Sequence, residues 1–247
     1  MQVGFRTDTG RKRAINEDAL LVLPGENLFA VADGVGGSNS GEVASRSAMN
    51  GVEEFLKNNP VSHAEDMEGK YRQNWFKGYF LRCFRKINND IIDTARSRPE
   101  NSGMATTAVT AYFDDKTLYI TNIGDSRAYM IRAGEITQLT KDHSYVADLV
   151  STGTLTKREA REHPRKNMIT RALGAGPEAD PDFYCFDTEP GDRLLLCTDG
   201  LHGELTDDEM CETLKAETDL NNACRKLVQA ANEKGGRDNI TVVCVEE

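Results

Sequence analysis

The stretch from residue 106 to 139 constrains the fold most. Strand-type runs at 108–113, 117–122, 128–132 and 135–139 are separated by Asp114-Asp115, Gly124-Asp125 and Ala133-Gly134. Turns this short between β-type runs predict hairpins, and hence an antiparallel sheet. Earlier, runs at 18–23 and 28–32 flank the turn residues Pro24-Gly25-Glu26-Asn27. Later, 183–187 and 192–197 flank Pro190-Gly191, and a last run spans 239–245. Helical spacing appears over 41–58, through Val43, Ser47, Met49, Val52 and Leu56. It recurs over 64–97, where Trp75, Phe76, Tyr79, Phe80, Cys83, Phe84, Ile87 and Ile91 give one wide apolar face for core packing. Helices also fit 207–217 and 220–234. Strands and helices are segregated rather than alternating, which predicts an α+β fold. No Pro- or Ser-rich linker and no repeat interrupts the chain, so residues 1–247 read as a single domain.

The charge balance excludes some functions. Thirty Lys and Arg against forty Asp and Glu give −10. Such a chain lacks the basic face that nucleic acid requires, and it is repelled by an anionic membrane. No apolar run approaches the ~20 residues of a membrane span, and residues 1–13 lack the apolar core of a signal peptide. The six cysteines form no CxxC and no zinc-type Cys/His spacing. Reduced core cysteines in a cytoplasmic protein are the expectation.

Five segments place acidic residues at strand ends, most of them beside glycine. They are Asn16-Glu17-Asp18, Ala32-Asp33-Gly34-Val35-Gly36-Gly37, Gly124-Asp125-Ser126-Arg127, Cys197-Thr198-Asp199-Gly200 and Gly236-Arg237-Asp238-Asn239. One Asp-Gly alone is more often a turn than a ligand. Several together can converge at one rim of a sheet, with glycine allowing a sharp turn and close approach of its carbonyl. Converging carboxylates repel unless protonated or separated by cations. All-oxygen ligands select Mg²⁺ or Mn²⁺, and two such ions about 3.5–4 Å apart suit in-line displacement at phosphorus.

The ordered set Arg13…Asn16-Glu17-Asp18, Asp33-Gly34-Val35-Gly36-Gly37, Gly103…Thr106-Thr107, Gly124-Asp125-Ser126-Arg127, Thr140…Asp142-His143, Thr170-Arg171-Ala172-Leu173-Gly174, Asp199-Gly200-Leu201 and Asp238-Asn239-Ile240-Thr241 resembles the metal-dependent protein phosphatases, the PPM or type 2C family, and most of all its compact bacterial branch. The resemblance covers nearly the whole chain. It implies a four-layer α-β-β-α sandwich, two antiparallel sheets between helix pairs, with a metal cleft at one rim. It implies that Asp33 bridges two ions, that Asp199 and Asp238 complete one, and that the Gly34 carbonyl binds the other with waters ordered by Glu17 or Asp18. Asp125 corresponds to a ligand of a weaker third ion, and Arg13 to the residue that grips substrate phosphate.

The activity implied is hydrolysis of phosphoserine and phosphothreonine in proteins by metal-activated water, without a covalent intermediate. The expected partners are phosphoprotein substrates and a bacterial-type serine/threonine kinase, with the enzyme itself a monomer. Val35 stands where many eukaryotic members carry a histidine acid, so water is left to protonate the leaving oxygen. For His143 a structural role is favoured over an acid role. Residues 144–175 correspond to a flap beside the cleft. Within it, Lys157, Arg158, Arg161, Arg165, Lys166 and Arg171 against Glu159 and Glu162 give a net charge of +4. That is either a solvated helix face or a collar for acidic substrates. Two rivals remain: a scaffold of the same fold that has lost its ligands, disfavoured because all the matched carboxylates are present, and a two-metal nuclease, disfavoured by the acidic charge.

Overall fold

The computed structural model describes residues 1–36, 40–64 and 66–247, and of His63 only the backbone. Gly37, the last residue of the second acidic motif, lies outside the described residues. In chain order the elements are β1 (Gln2–Asp8), β2 (Asp18–Leu23), β3 (Leu28–Val35), α1 (Ser40–Asn58), α2 (Gly69–Ser97), β4 (Ala105–Thr106), β5 (Ala108–Asp114), β6 (Thr117–Ile123), β7 (Arg127–Arg132) and β8 (Glu135–Gln138). They continue with α3 (Tyr145–Ser151), α4 (Lys157–Glu162), β9 (Asp182–Asp187), β10 (Arg193–Cys197), α5 (Asp199–His202), α6 (Asp207–Ala216), α7 (Leu220–Glu233) and β11 (Ile240–Glu246).

Among the described residues these build two antiparallel sheets, one ordered β1-β11-β10-β7-β8, the other β2-β3-β5-β6-β9 with β4 beside β3. Alternation along the strands makes three apolar layers. Phe29, Val31, Val109, Ile120, Leu194, Leu196 and Val243 meet between the sheets. The aromatic face of α2 and the small residues of α1 cover the β2–β9 sheet, where Phe76 stacks on Tyr119 at 4.5 Å. Helices α5, α6 and α7 cover the other sheet through Leu201, Met210, Leu214, Leu227 and Ala231. The expected α-β-β-α layering is therefore present.

Three expectations change. The Gly124-Asp125 turn does not close a hairpin, because β6 and β7 lie in opposite sheets. The crossover is held from the side: His143 N–H donates to the Gly124 carbonyl at 2.9 Å, and the hydroxyls of Ser126 and Thr107 meet at 2.7 Å. By contrast, the turns after β5 and β7 do join paired neighbours. The second helix begins at Gly69 rather than residue 64, after a separate 3-10 turn over Val61–Ala64. Within 144–175, where periodicity is weak, two short helices form. Each has a capping residue, Ser144 for α3 and Thr156 for α4, the latter in a full capping box with Glu159. A β-bridge between Ser144 and Ile169 closes the base of this excursion.

Candidate active site

The fold brings the acidic segments to one rim between the sheets. Asp18 opens β2 and pairs directly across the ladder with Asp33 of β3. Asp199 follows β10 and starts α5, while Asp238 precedes β11, the neighbour of β10. Asp125 sits in the crossover between β6 and β7. Thr198 ties the two sheets together here, donating its hydroxyl to Asp18 Oδ2 at 2.8 Å and accepting from the Thr241 amide at 3.0 Å.

Electrostatics records the crowding. Burial, then the charges of Asp18, Asp199, Asp125 and Asp238, hold the Asp33 carboxyl well above its ordinary range. Burial and the neighbouring Asp199 and Asp238 lift Asp18 to about 7, against hydrogen bonds from Thr241 and Thr198. Burial and Asp238 lift Asp199 to about 6, opposed by a hydrogen bond with Asp33 and by Arg13 and Lys166. Asp125 is likewise raised well above the usual value, first by burial and then by Asp199 and Asp142. Four carboxyls raised together are a site for cation charge.

Among the described residues no three His, Cys, Asp or Glu side chains form a ready-made ion-binding group; Asp33 and Asp199 lie within hydrogen-bond reach of each other, and Arg13 Nη2 holds Asp238 Oδ2 at 2.8 Å. The residues nevertheless fit hard cations. Asp18 Oδ1 and Asp199 Oδ1 are buried oxygens with no hydrogen-bond partner, an arrangement that costs free energy unless something else satisfies them. A second pair of oxygens converges beside α1. A β-carbon on Gly41 would stand 2.5 Å from Glu17 Oε1 and 2.7 Å from the Gly34 carbonyl. Every donor in this set is oxygen, as Mg²⁺ and Mn²⁺ prefer.

Gly34 and Gly200 serve a different purpose from the sharp turn expected of Asp-Gly. Neither has a positive φ. A β-carbon on Gly34 would stand 2.0 Å from the Gly41 carbonyl oxygen, and one on Gly200 would stand 1.9 Å from that of Asn239. Glycine lets the backbones of the ligand-bearing segments touch.

Two residues without an assigned role position the site. Asn239 Oδ1 accepts from the Glu17 amide at 2.8 Å, and its Nδ2 donates to the carbonyls of Thr9 and Ile15, both at 2.9 Å. It thus pins the 9–17 loop, with Arg13 and Glu17, to the segment bearing Asp238. Asn239→Ala is expected to leave these groups unpaired at a cost of roughly 2–4 kcal/mol. A fall in Tm of about 10 °C should follow, with KM for a phosphopeptide raised severalfold. Thermal unfolding and steady-state kinetics check both; an unchanged Tm contradicts the pinning. His202, buried on α5, donates from Nε2 to the Asp125 carbonyl at 3.0 Å, linking the helix that begins at Asp199 to the Asp125 loop. Burial, then Arg127, pushes its pKa to about 3, so it stays neutral. A lone histidine three residues after Asp199 gives no signal of this in sequence.

Both ring nitrogens of His143 are engaged within the fold. Its Nδ1 accepts from the Gly124 amide at 3.2 Å, and its Nε2 lies 3.3 Å from Asp182 Oδ2. The basic segment is partly spent locally: Arg161 donates to the His202 and Leu205 carbonyls, Arg165 lies over the Tyr145 ring, and Arg171 pairs with Asp180 and Asp182.

Comparison with known proteins agrees with this geometry. Residues 8–242 match the family model described as Protein phosphatase 2C. The serine/threonine phosphatase stp of Listeria monocytogenes is 37% identical over 100% of this chain and 96% of its own length. The crystal structure of serine/threonine phosphatase Stp1 from Staphylococcus aureus superposes with a TM-score of 0.90 at 33% identity, covering 100% of this chain and 95% of that one. The catalytic domain of the serine threonine protein phosphatase PstP, solved in complex with two manganese ions, gives 0.85 at 33% identity over 99% and 97% of the two chains. With its motifs matched from end to end and its carboxylates gathered at the rim of the expected sandwich, the chain belongs to the protein phosphatase 2C family.

Proposed function

We infer that this chain is a metal-dependent protein serine/threonine phosphatase that removes phosphate from phosphoserine and phosphothreonine in proteins, as the counterpart of a serine/threonine kinase. The observation that carries this reading is the gathering of Asp18, Asp33, Asp125, Asp199 and Asp238, with buried unpartnered oxygens, beside the half-exposed guanidinium of Arg13.

Asp33, Asp199 and Asp238 would hold one cation, and Asp33 with the Gly34 carbonyl a second, Glu17 and Asp18 ordering its surroundings; Asp125 would serve a weaker third. Bound Mn²⁺ or Mg²⁺ supplies the positive charge that makes water a nucleophile at neutral pH and offsets charge on phosphoryl oxygens. The protein's own part is placement. Arg13 keeps one nitrogen on Asp238 and offers its other N–H groups to phosphoryl oxygens. Asn239 and Thr198 fix the loops that carry Arg13 and Asp18. Val35, at the exposed end of β3, has no proton to give, so water supplies the proton of the leaving alkoxide.

Manganese-dependent release of phosphate from a phosphothreonine peptide, run beside a nucleic-acid substrate, tests the function. Hydrolysis of the peptide alone is expected; cleavage of the nucleic acid alone favours the nuclease reading. For Arg13→Ala, the expected result is a KM for phosphopeptide raised about tenfold or more, since a charge-assisted hydrogen bond to phosphate contributes about 1.5–3 kcal/mol. Arg13→Lys should restore only part, because an ammonium lacks the planar fork. Unchanged kinetics in Arg13→Ala would remove it from the phosphate site.

A further inference from the structure

A cavity of about 530 Å³ lies between the α3–α4 excursion and the body of the protein. We propose that it seats an apolar side chain of the phosphoprotein segment flanking the phosphorylated residue, with lysines at its rim receiving an acidic neighbour of that side chain. The proposal rests on the phosphatase reading above and adds to it a substrate class.

The cavity is continuous with the active site, since Asp125 and Asp199 form part of its wall. A chain that presents its phosphate to the carboxylate cluster therefore passes its mouth. The excursion contributes an apolar patch, Val146, Ala147 and Val150 from α3 and Ala160 from α4, beside polar side chains that include Ser151, Lys157, Lys166 and Asn167. Val146 and Val150 are four residues apart and share one helix face. None of the side chains of α3 is buried, although complete burial of a valine stabilises by roughly 1.5–3 kcal/mol. The helix thus presents an apolar face to a space of the size that ligand clefts have, about 300–1,000 Å³.

Apart from Asp125 and Asp199, the opposite wall is polar and largely paired within itself. Arg127 makes three hydrogen bonds to Asp142, at 2.7, 2.9 and 3.1 Å, and donates to Tyr129 Oη at 2.7 Å. Tyr129 in turn reaches Asp207 at 3.3 Å; on the excursion's own side, Arg161 of α4 is occupied by two carbonyls. Away from the carboxylate cluster, the charges left over are cationic. Lys157 and Lys166 have no ion-pair partner among the described residues, and Lys141 has only Asp148 at 3.9 Å. An apolar patch beside spare ammonium groups selects a peptide with an apolar residue next to an acidic one. A neutral polar segment would leave the valines wet and the lysines unpaired.

The test uses the manganese-loaded full chain and three substrates: a phosphothreonine peptide carrying leucine beside glutamate, the same peptide with serine in place of leucine, and an aryl phosphate with no flanking residues. Leucine is placed on either side of the phosphothreonine in separate peptides. Wild type is expected to favour a leucine peptide over its serine partner by about tenfold in kcat/KM, the scale of filling an apolar pocket. Val150→Asp should bring that ratio to about one, while Val150→Leu should keep it. The aryl phosphate is the internal reference for each variant. Equal rates on leucine and serine peptides by a wild type that hydrolyses aryl phosphate would overturn the subsite and leave the phosphatase reading standing. So would a leucine-to-serine ratio unchanged in Val150→Asp. Failure of wild type on all three substrates would instead overturn the reading on which the subsite rests.

Discussion

Asp33→Asn is expected to lower kcat on phosphopeptides by on the order of 10³-fold or more while making the metal-free protein more stable. The substitution keeps shape and removes the charge at the centre of the cluster. Cation stabilisation of a phosphoryl transition state is worth several kcal/mol, and each 1.36 kcal/mol is tenfold in rate. The opposite sign in stability follows from the crowding: Asp33 is raised by burial and then by Asp18, Asp199, Asp125 and Asp238, so its ionised form is strained without cations. Removing it should raise the metal-free Tm by roughly 3–8 °C, at about 2–4 °C per kcal/mol for a chain of this size. Asp199→Asn and Asp238→Asn should also lose activity. A loss of activity with a lower metal-free Tm would mean that Asp33 holds the fold rather than cations.

The same carboxyls give the metal-free protein an inverted pH dependence. A carboxyl whose folded pKa is raised binds its proton more tightly in the folded state, so its contribution to stability is present at low pH and lost as pH rises through the folded value. Asp199 and Asp18, at about 6 and about 7, and the more strongly raised Asp33 and Asp125, lose this contribution through and above that range. His143 and His202 act oppositely, because burial lowers both, but their effect ends near the ordinary histidine value of about 6.5. From about pH 6.5 to 7.5, above the ordinary histidine range and below that of the raised cysteine thiols, the carboxyls dominate the change. Stability in chelator should fall across that window, read as a lower Tm at its upper end than at its lower end. Saturating Mn²⁺ should abolish or reverse the slope, since cation binding is linked to loss of those protons. A flat profile in chelator would show that the carboxyls are not crowded in solution.

Much of this was legible in sequence because the signals are local. Apolar, β-type runs bounded by turn residues mark most strands, the offsets of Phe76, Phe80, Phe84 and Ile87 mark α2, and the carboxylates announce themselves by sitting at strand ends. What escaped depends on tertiary contact. β1 has its one buried position at Gly4, where a β-carbon would stand 2.2 Å from the Leu220 backbone carbon; a strand whose buried face is glycine shows no apolar alternation. The Gly124-Asp125 crossover looks like a hairpin turn because both flanking runs are strands, and only the partners of β6 and β7 reveal that they part. Helices α3 and α4 bury no side chain, so periodicity could not find them, although Thr156 and Glu159 at capping-box spacing could have. At the site, the acids were visible and their fixings were not. Asn239, Thr198 and His202 act on groups in segments remote in sequence, which spacing cannot disclose.

The most direct test of the account is calorimetric titration of the metal-free protein with Mn²⁺ at neutral pH, in parallel for wild type, Asp33→Asn and Asp125→Ala. Two tightly bound ions per chain are expected in wild type, with a weaker event at higher concentration. Asp33→Asn should lose the tight pair, and Asp125→Ala should lose only the weak event. Undiminished tight binding in Asp33→Asn would contradict the assignment of this carboxylate cluster as the metal centre.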